Sequence, residues 1–514
     1  MVGASGFMNG TPTPSETVQG KRPEQSRAVL DNVIDWRKIC MTDMNYDLTI
    51  LGGGSGGLTA ARVAASLGAR VLLIDKERLG GDCLYSGCVP SKSLIHAAKV
   101  VHQTRTARHI GLSPTSTDID MVQVAAYIQD VIARVHDAEH VYTDDVTVKF
   151  GTVTFQSPTA LLLNEEKIST RATIIATGSQ PVRPEIEGLE NVIYLTNESV
   201  FQLTHLPASL LIVGGGPIGV ELGQALTRLG VRVTIVQGPE RILPKEEPEV
   251  SEAIANVLQA EGVKLVTQAR VLKVEQKGWQ KYTIVKQGEQ LLPFETDEIL
   301  VAAGRQPRVD GLNLDAADID YSARGIKVDD YLRTSTPNIF AIGDVIGGYL
   351  FTHVAAYQAS IAVRNALLPF AKKKVDYRVL PWCTFTDPEA ARIGLTDGEA
   401  RQSQKQVRAI TFPWADIDRA QTEDATTGFI KLILAGKKEE IVGAHIVGAQ
   451  AGELLGEIAV AMQQHLPVSK LVNIIHPYPT LHTGLQQALF EAYLSSSSAR
   501  ANRTLVGTVL RFRR

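Results

Sequence analysis

Two cysteines stand close together in a glycine-rich segment, and their spacing suggests redox chemistry. Cys83 and Cys88 are separated by four residues, and Pro90 follows them closely. Positions five apart do not stack on a regular helix, so a local distortion has to bring the two sulfurs to bonding distance. A zinc site would need further cysteine or histidine ligands at short spacing, and His96 is a poor match. The pattern favours a redox-active disulfide over a metal site or an inert pair.

The remaining cysteine content is sparse. The 514 residues include four cysteines, and the other two are Cys40 and Cys383. This low number argues against a structural disulfide framework of the secreted type. Cys383 lies at the start of a predicted strand, where we interpret it as a buried structural residue.

A dinucleotide-binding pattern precedes the cysteine pair. A strand, a helix and a second strand are predicted for residues 46–51, 58–67 and 71–74. After the first strand, Gly52 permits a tight turn, Gly54 admits a pyrophosphate and Gly57 lets the helix pack closely on the strand. The helix N-terminus favours the phosphates. Asp75 closes the second strand and is placed to accept hydrogen bonds from a ribose.

The same order of elements returns later in the chain. The predicted strand, helix and strand are residues 210–213, 220–229 and 231–236, and the glycines are Gly214, Gly216 and Gly219. The second strand ends in Gln237, where an NAD site usually has an acid that would repel the 2′-phosphate of NADP. Gln237 therefore favours NADPH, with Arg241 or Arg232 near enough to meet that phosphate. Gly219 is more typical of NADH sites, so NADH stays possible. Two nucleotide folds imply a redox step between two nucleotides.

A third motif ends in an aspartate. The run from Thr336 to Ile342 predicts a strand that places Asp344 just past Gly343. Such an acid can bond a ribityl hydroxyl chain, and it could alternatively cap the helix predicted for residues 351–367. The sequence leaves both roles open.

The composition argues against several other classes of protein. A formal net charge of −3 leaves no basic excess for nucleic acid or an anionic membrane surface. No apolar run reaches the roughly 18 residues of a membrane span. The length predicts several domains, and 21% charged with 44% hydrophobic residues is the balance of an ordinary soluble protein. We expect a cytoplasmic protein with a flexible extension over residues 1–44, which begins with a segment rich in Gly, Ser, Thr and Pro.

Together these motifs resemble the class I pyridine nucleotide-disulfide oxidoreductase family, and most closely its mercuric reductase-like and dihydrolipoamide dehydrogenase-like members. The resemblance covers residues 46–492 and includes Ala176-Thr177-Gly178 and the run from Ala303 to Pro307. It implies an α/β fold with two Rossmann-like dinucleotide-binding domains, as in glutathione reductase, plus an α+β C-terminal dimerisation domain. The implied boundaries are 45–190 (FAD-binding, first part), 191–310 (NAD(P)H-binding), 311–380 (FAD-binding, second part), 381–495 (interface) and 496–514 (tail).

The resemblance also implies roles for individual residues. Electrons would pass from NADPH, or NADH, through FAD to the Cys83–Cys88 disulfide. Cys88 would be the flavin-side sulfur that forms the charge-transfer thiolate, and Cys83 would meet the substrate. Lys92 and Glu221 would form an ion pair beside the flavin ring. Cofactor contacts are implied for Gly52, Gly54, Gly57, Asp75, Lys92, Thr177, Gly178, Gly214, Gly216, Gly219, Gln237, Arg241, Gly304, Arg305, Gly343, Asp344 and Ala355.

A motif near residue 480 distinguishes branches of this family. The disulfide reductases commonly carry His-x-His-Pro-Thr, in which the second histidine is the acid–base group, and a glutamate four residues after the proline holds that histidine. Here His476 opens the motif, Tyr478 stands at the base position and Thr483 at that of the glutamate. A phenol is a poor proton shuttle at neutral pH. Mercuric reductases have a tyrosine at this position, and residues 351–354 also resemble that branch.

Three functions are compatible with this pattern. The first, which we favour, is reduction of a metal ion such as Hg(II), held as substrate by Cys83, Cys88 and Tyr478 in a homodimer with shared active sites. The second is disulfide reduction or dihydrolipoamide oxidation with a substituted base, for which His476 or His482 would need a loop shift. The third is a redox-sensing flavoprotein of low turnover. Residues 509–514 lack the cysteine pair that mercuric reductases typically add there.

Overall fold

The computed structural model describes residues 44–113, 118–140, 145–368 and 370–513. Residues 1–43 of the predicted extension, with Cys40, lie outside the described residues. Asn45–Arg514 form one compact unit, which is described by itself below.

The first sheet forms around the first glycine motif. Its central strands are parallel, and the chain then adds an antiparallel hairpin at one edge. Residues 71–74 are buried, as expected of a parallel strand that is covered on both faces. The elements are β1 (Tyr46–Leu51), α1 (Ser55–Ser66), β2 (Val71–Asp75), α2 (Gly81–Tyr85), α3 (Cys88–Thr106), α4 (Met121–His140), β3 (Thr147–Phe150), β4 (Val153–Ser157), β5 (Ala160–Leu163), β6 (Glu166–Ile175) and β7 (Ser179–Pro181). The strand order is β3-β2-β1-β6-β5-β4.

The second sheet repeats the arrangement around the second glycine motif. The elements are β8 (Ser209–Val213), α5 (Pro217–Arg228), β9 (Arg232–Val236), α6 (Pro248–Ala260), β10 (Lys264–Val266), β11 (Ala269–Lys277), β12 (Gln280–Gln287), β13 (Gln290–Thr296) and β14 (Glu298–Val301). Strands β10, β9, β8 and β14 are parallel in that order, and β11–β13 form an antiparallel meander. The predicted α/β class with two dinucleotide-binding folds is confirmed.

The chain then returns to the first sheet. The elements of this segment are β15 (Arg305–Pro307), β16 (Tyr321–Ser322), β17 (Gly325–Ile326), β18 (Ile339–Ala341) and α7 (Thr352–Leu367). Strand β18 pairs in parallel with β6, so the residues that follow it reach the same sheet edge as the first glycine motif. Helix α7 packs on α1, since a Cβ on Gly56 would lie 3.3 Å from the Ala355 Cβ.

An antiparallel sheet forms the last part of the chain. The elements are β19 (Pro381–Thr384), β20 (Glu389–Gly394), α8 (Asp397–Ser403), β21 (Arg408–Pro413), α9 (Asp418–Thr422), β22 (Phe429–Ala435), β23 (Glu440–Gly448), α10 (Ala451–Gln463), α11 (Val468–Leu471), α12 (His482–Leu494) and α13 (Ser497–Phe512). The strand order is β19-β20-β23-β22-β21, around a core that includes the buried Trp414. Residues 496–514, expected as a C-terminal tail, contain the helix α13, and the predicted domain boundaries stay predictions.

Short 3-10 helices complete the description, and no described helix is long and apolar enough to cross a membrane. The 3-10 helices are Ala107–Ile110, Leu189–Asn191, Val200–Gln202, Leu314–Ala317, Gly343–Ile346 and Trp414–Asp416.

Candidate active site

The first glycine motif is required by close backbone contacts. Gly52 has φ +107°, and a Cβ there would lie 2.3 Å from the Ala176 carbonyl oxygen. A Cβ on Gly57 would lie 1.8 Å from the Gly52 oxygen, whereas one on Gly54 would meet only the Gly81 Cα, at 3.7 Å. The outer two glycines therefore serve the turn and the packing, and the middle one leaves room for a phosphate.

The second glycine motif has the same steric requirements as the first. A Cβ on Gly214 would lie 2.3 Å from the Ala302 oxygen, and one on Gly219 would lie 1.9 Å from the Gly214 oxygen. A Cβ on Gly216 would face open space. Both helices that follow begin at a glycine N-cap, without a side-chain cap or an acid in the first turn. Their backbone N–H groups fit the phosphates of two dinucleotides.

Asp75 anchors the first glycine loop. Its Oδ2 accepts a hydrogen bond from the Gly53 N–H at 2.7 Å, and its Oδ1 accepts from the backbone of Glu77 at 3.0 Å and Arg78 at 3.1 Å. The carboxylate is thereby held at the end of β2. Its predicted contact with a ribose stays a prediction.

Gln237 occupies the matching place in the second fold. It is buried, and its Oε1 accepts a hydrogen bond from the Gly215 N–H at 2.7 Å. The neutral amide thus anchors the loop as a carboxylate would, without bringing a negative charge. Arg241, half-buried nearby, donates from Nη2 to the Glu246 carbonyl at 3.3 Å, and its buried Nε has no partner among the described residues.

The cysteine segment contains the distortion that the spacing predicts. Helix α2 ends at Tyr85 and α3 begins at Cys88, so the two cysteines belong to different helices. Gly87 lies at the break, where a Cβ would come within 2.8 Å of the Asp82 carbonyl oxygen. The Asn197 side chain donates to the Ser86 carbonyl at 3.0 Å and holds the break in place.

Cys83 and Cys88 are free thiols that interact with each other. The hydrogen bond from Cys83 lowers the pKa of Cys88 to about 6, and Thr352 and the charge of Lys92 add to this shift, while partial desolvation of the sulfur opposes it. The same hydrogen bond, with burial, raises the pKa of Cys83. The pair is therefore stable as one thiolate on Cys88 and one thiol on Cys83.

The surroundings of Cys88 place it near the first dinucleotide fold. Its Sγ lies 3.7 Å from Thr352 Oγ1, in the first turn of α7. Ala355, one turn further, contacts Gly56 and Gly343. In the described chain Cys88 is exposed and Cys83 half-buried, so exposure alone does not identify the sulfur that meets the substrate.

Alkylation of the reduced pair should report this thiolate. We expect the rate to rise with pH through an inflection near the Cys88 pKa of about 6, because the thiolate is the nucleophile. Cys83→Ala removes the hydrogen bond that contributes most to the low pKa, so the inflection should move to higher pH. Rates of iodoacetamide labelling, with the labelled residue identified by peptide mass, would measure both. An unchanged inflection in the variant would assign the low pKa to another group.

Lys92 and Glu221 form an ion pair that joins helices α3 and α5. Lys92 Nζ lies 2.8 Å from Glu221 Oε2 and 4.3 Å from the centre of the Phe385 ring. The buried Glu221 also accepts from the Phe385 backbone N–H at 2.8 Å. The carboxylate is thus paired and hydrogen-bonded, as a buried charge has to be.

Asp344 lies in the 3-10 helix that follows β18, so the alternative that it caps α7 is wrong. The N-cap of α7 is Phe351, and the Asp344 carboxylate accepts from Ser179 Oγ at 2.6 Å. Burial raises the pKa of Asp344. The start of α7 has no side-chain cap. The ribityl role stays a prediction.

Arg305 joins the cysteine segment to the Asp344 region. Its guanidinium contacts the Asp82 carboxylate, next to Cys83, and donates from Nε to Ser179 Oγ at 2.8 Å. Nη2 also donates to the Ser179 carbonyl at 3.0 Å. These donors bind protein groups, and the predicted contact of Arg305 with a cofactor stays a prediction.

The other predicted cofactor residues surround the same place. Thr177 Oγ1 donates to the Arg308 carbonyl at 2.9 Å, and a Cβ on Gly178 or Gly304, both with positive φ, would face open space. Gly343 donates its N–H to Gln358 Oε1 at 2.6 Å. These residues follow the carboxyl ends of strands β6, β14 and β18.

Tyr478 lies at the surface and hydrogen-bonds to Asp418 of its own chain. It is 73% exposed, and its hydroxyl donates to Asp418 Oδ2 at 2.8 Å, which raises the pKa of Tyr478. Thr483 is buried and donates to the Thr480 carbonyl at 2.6 Å. Neither residue forms the histidine–glutamate pair of the disulfide reductases.

The two nearby histidines have structural contacts. His476 Nε2 lies 2.8 Å from Glu457 Oε2, and its ring stacks on that of His482 at 6.2 Å. Only 6% of the His476 side chain is exposed. These contacts favour a packing role for the two histidines over the role of a mobile base.

Cys383 is separate from the redox pair. It is half-buried, 3.7 Å from Glu389 Oε2, and burial raises the pKa of its thiol. Such a thiol is a weak nucleophile. Among the described residues there is no group of three or more His, Cys, Asp or Glu that could hold a metal ion.

Three contacts were not predicted from the sequence. They are those of Thr352 with Cys88, Asp82 with Arg305 and Asp418 with Tyr478. Thr352 belongs to the 351–354 segment that had been noted as a branch feature, so a signal for it existed. The sequence contains no such signal for Asp82 or Asp418, because each is an ordinary acid next to a turn.

Comparison with known proteins gives two family matches. The pyridine nucleotide-disulphide oxidoreductase model matches residues 46–359, and the corresponding dimerisation-domain model matches residues 380–489. A mercuric reductase from Bacillus cereus is 35% identical over 449 residues, which cover 87% of this chain and 71% of the relative. A dihydrolipoyl dehydrogenase from Bacillus subtilis (strain 168) is 33% identical over 450 residues, covering 86% and 97%.

A solved structure is also similar. It is the Cu(II) complex of the HOCl-induced flavoprotein disulfide reductase RclA from Escherichia coli. The TM-score is 0.78 with 28% sequence identity, and the match covers 87% of this chain and 99% of that one.

Proposed function

The chain belongs to the pyridine nucleotide-disulphide oxidoreductase family, and from this premise we propose that it reduces a thiophilic metal ion such as Hg(II) with electrons from NADPH. It is an FAD-dependent enzyme that uses NAD(P)H, and its dimerisation domain supports a homodimer. The substrate, the choice of NADPH and the sharing of the active site belong to the proposal.

The hydrogen bond from Tyr478 to Asp418 is the observation that supports a metal ion over a disulfide as the substrate. Disulfide exchange needs a group that takes and returns a proton near neutral pH. The Tyr478 phenol has a raised pKa because it donates to Asp418, so it does not serve as that base. A hydroxyl oxygen can still line a metal-ion site. Mercuric reductase among the relatives and the Cu(II) complex of RclA among the similar structures support a metal-ion substrate.

The cysteine pair suits a soft divalent ion. Cys88 is already a thiolate near neutral pH, and Cys83 loses its proton when the ion replaces the hydrogen bond between the sulfurs. Bound FAD supplies the hydride and two-electron chemistry between nicotinamide and this pair. The overall reaction balances as Hg(II) and NADPH giving Hg(0), NADP⁺ and one proton. Tyr478 of the partner subunit would lie beside the ion.

Acceptor assays test this proposal. NADPH oxidation would be measured with Hg(II), Cu(II), lipoamide, oxidised glutathione and no acceptor. We expect a metal ion to give the fastest turnover. Faster turnover with lipoamide would contradict the proposal. No turnover with any acceptor, although NADPH reduces the cysteine pair, would favour a redox sensor instead.

The preference for NADPH rests on Gln237. A carboxylate at this position would repel a 2′-phosphate, whereas the amide anchors Gly215 without charge. Gln237→Glu keeps the acceptor for the Gly215 N–H, so we expect it to lower the NADPH/NADH ratio of kcat/KM by about tenfold through charge repulsion. Steady-state kinetics with both nucleotides would measure the ratio. Gln202→Glu, an exposed change of equal charge in the same domain, should leave it unchanged. An unaltered ratio in Gln237→Glu would place the 2′-position elsewhere.

A further inference from the structure

Helix α13 projects from the described chain with little covering it. Its first turn is anchored, because Ser496 Oγ accepts from the Ala499 N–H at 3.0 Å and Asn502 donates to the Tyr493 hydroxyl at 3.1 Å. Every residue from Arg500 to Arg513 is exposed. The helix is therefore held at its N-terminal end and open along the rest of its length.

The exposed part of α13 has an apolar face. Leu505, Val509 and Phe512 recur at helical spacing and are 64%, 44% and 88% exposed. Val506 and Leu510 widen this face and are also more than half exposed. Large apolar side chains that recur on one exposed helix face indicate a surface that binds a membrane or another molecule.

The opposite face is cationic. Arg500, Arg503 and Arg511 lie on it together with Thr504 and Thr508. The segment 497–514 contains five arginines and no acid. The chain has a net charge of −3, so without these five cations the remainder has −8. The overall net charge of −3 does not reveal that positive charge is concentrated in this segment.

We propose that α13 binds the surface of an anionic membrane. The helix would lie in the plane of the interface, with Leu505, Val509 and Phe512 among the acyl chains and the arginines on lipid phosphates. The overall charge predicted no membrane partner, and the proposal changes that expectation to peripheral binding through α13. The acidic remainder of the protein favours the orientation in which α13 faces the lipid.

Charge favours lipid over a second copy of the chain. Two α13 segments packed through their apolar faces would bring ten arginines together without an acid in either segment to pair with them. The match to the dimerisation domain ends at residue 489, before α13 begins. The apolar face and the arginines therefore suit an anionic lipid surface better than the family's subunit interface.

Vesicle sedimentation of the FAD-loaded protein tests the proposal. We expect binding to vesicles of phosphatidylcholine mixed equally with phosphatidylglycerol, weaker binding at high salt, and no binding to phosphatidylcholine alone. Arg500→Gln, Arg503→Gln and Arg511→Gln combined should weaken binding roughly a hundredfold, since each cation near an anionic surface contributes about fivefold. Leu505→Asp with Val509→Asp should abolish it.

The matched control is Arg134→Gln, Arg270→Gln and Arg324→Gln, exposed residues outside α13 with the same change in net charge. It should bind like the unaltered protein, and all variants should keep NADPH-dependent reduction of FAD as a sign of correct folding. Equal weakening by the control, or unaltered binding of the Leu505→Asp, Val509→Asp protein, would overturn the proposal. So would dissociation of that protein into monomers in size-exclusion chromatography, because α13 would then be a subunit contact.

Discussion

Serine in place of Cys88 is expected to reduce acceptor turnover at least about a thousandfold, because it removes the thiolate through which electrons leave the flavin side. Cys88 combines the low pKa, about 6, with contacts to Thr352 and the first dinucleotide fold. A serine hydroxyl stays protonated at neutral pH and binds soft ions poorly. Reduction of bound FAD by NADPH should stay within about twofold of the unaltered rate, since that step precedes the pair. Steady-state and single-turnover measurements would separate the two steps.

Cys383→Ser is the matched control for this prediction. Cys383 is half-buried, its pKa is raised by burial, and its nearest polar contacts are Thr384 and Glu389. We expect its replacement to leave turnover unchanged. If the Cys88→Ser protein kept a tenth or more of its turnover, electrons would be passing directly from flavin to acceptor. Equal losses in the two variants would point to a general disturbance of the fold.

The parts of the fold that follow from local sterics could be predicted from the sequence. A Cβ on Gly52 would clash with the backbone of Ala176, and a Cβ on Gly57 would clash with the backbone of Gly52. Gly214 and Gly219 repeat this pattern in the second motif. Such steric requirements place glycines at set positions within a short segment, so they can be recognised from the sequence. The break between α2 and α3 was predictable for the same reason, since the spacing of the two cysteines allows no regular helix.

Contacts between distant segments could not be predicted in this way. Thr352 reaches Cys88 across 264 residues of sequence, and Arg305 reaches Asp82 across 223. No local pattern specifies which acid a given arginine will meet, because the partner depends on how β15 returns to β7. The predicted contact of Arg305 with a cofactor stays a prediction, whereas its contact with Asp82 had no local signal in the sequence.

Two other predictions depended on where a helix begins or continues. Asp344 was compatible with a cap on α7, but that helix starts at Thr352 and its N-cap is Phe351. The segment 496–514 was expected to be a C-terminal tail and lies beyond residues 46–492, which carry the resemblance. Its own 3.6-residue periodicity, with Leu505, Val509 and Phe512 on one face, was the signal that predicts a helix.

The second large effect is expected from restoring the acid–base pair. Tyr478→His with Thr483→Glu should raise turnover with lipoamide or oxidised glutathione about a hundredfold, the low end of what a positioned acid–base group contributes. Thr483 is in the first turn of α12, where a carboxylate is favourable at the positive end of the helix. Turnover with Hg(II) should fall, because the phenol oxygen proposed to lie beside the ion is lost. Both activities would be measured on the same protein preparation.

Tyr478→Phe with Thr483→Glu separates the base from the buried carboxylate. It carries the new acid without an imidazole, so its disulfide turnover should stay at the level of the unaltered protein. Its Hg(II) turnover should fall as in the histidine variant, since the hydroxyl that contacts Asp418 is absent from both. A histidine variant with no gain in disulfide turnover would mean that residue 478 does not reach the partner's cysteine pair, or that proton transfer does not limit exchange. Because the thiolate on Cys88 is already formed near pH 6, a gain would place the missing proton step on the Cys83 side of the pair.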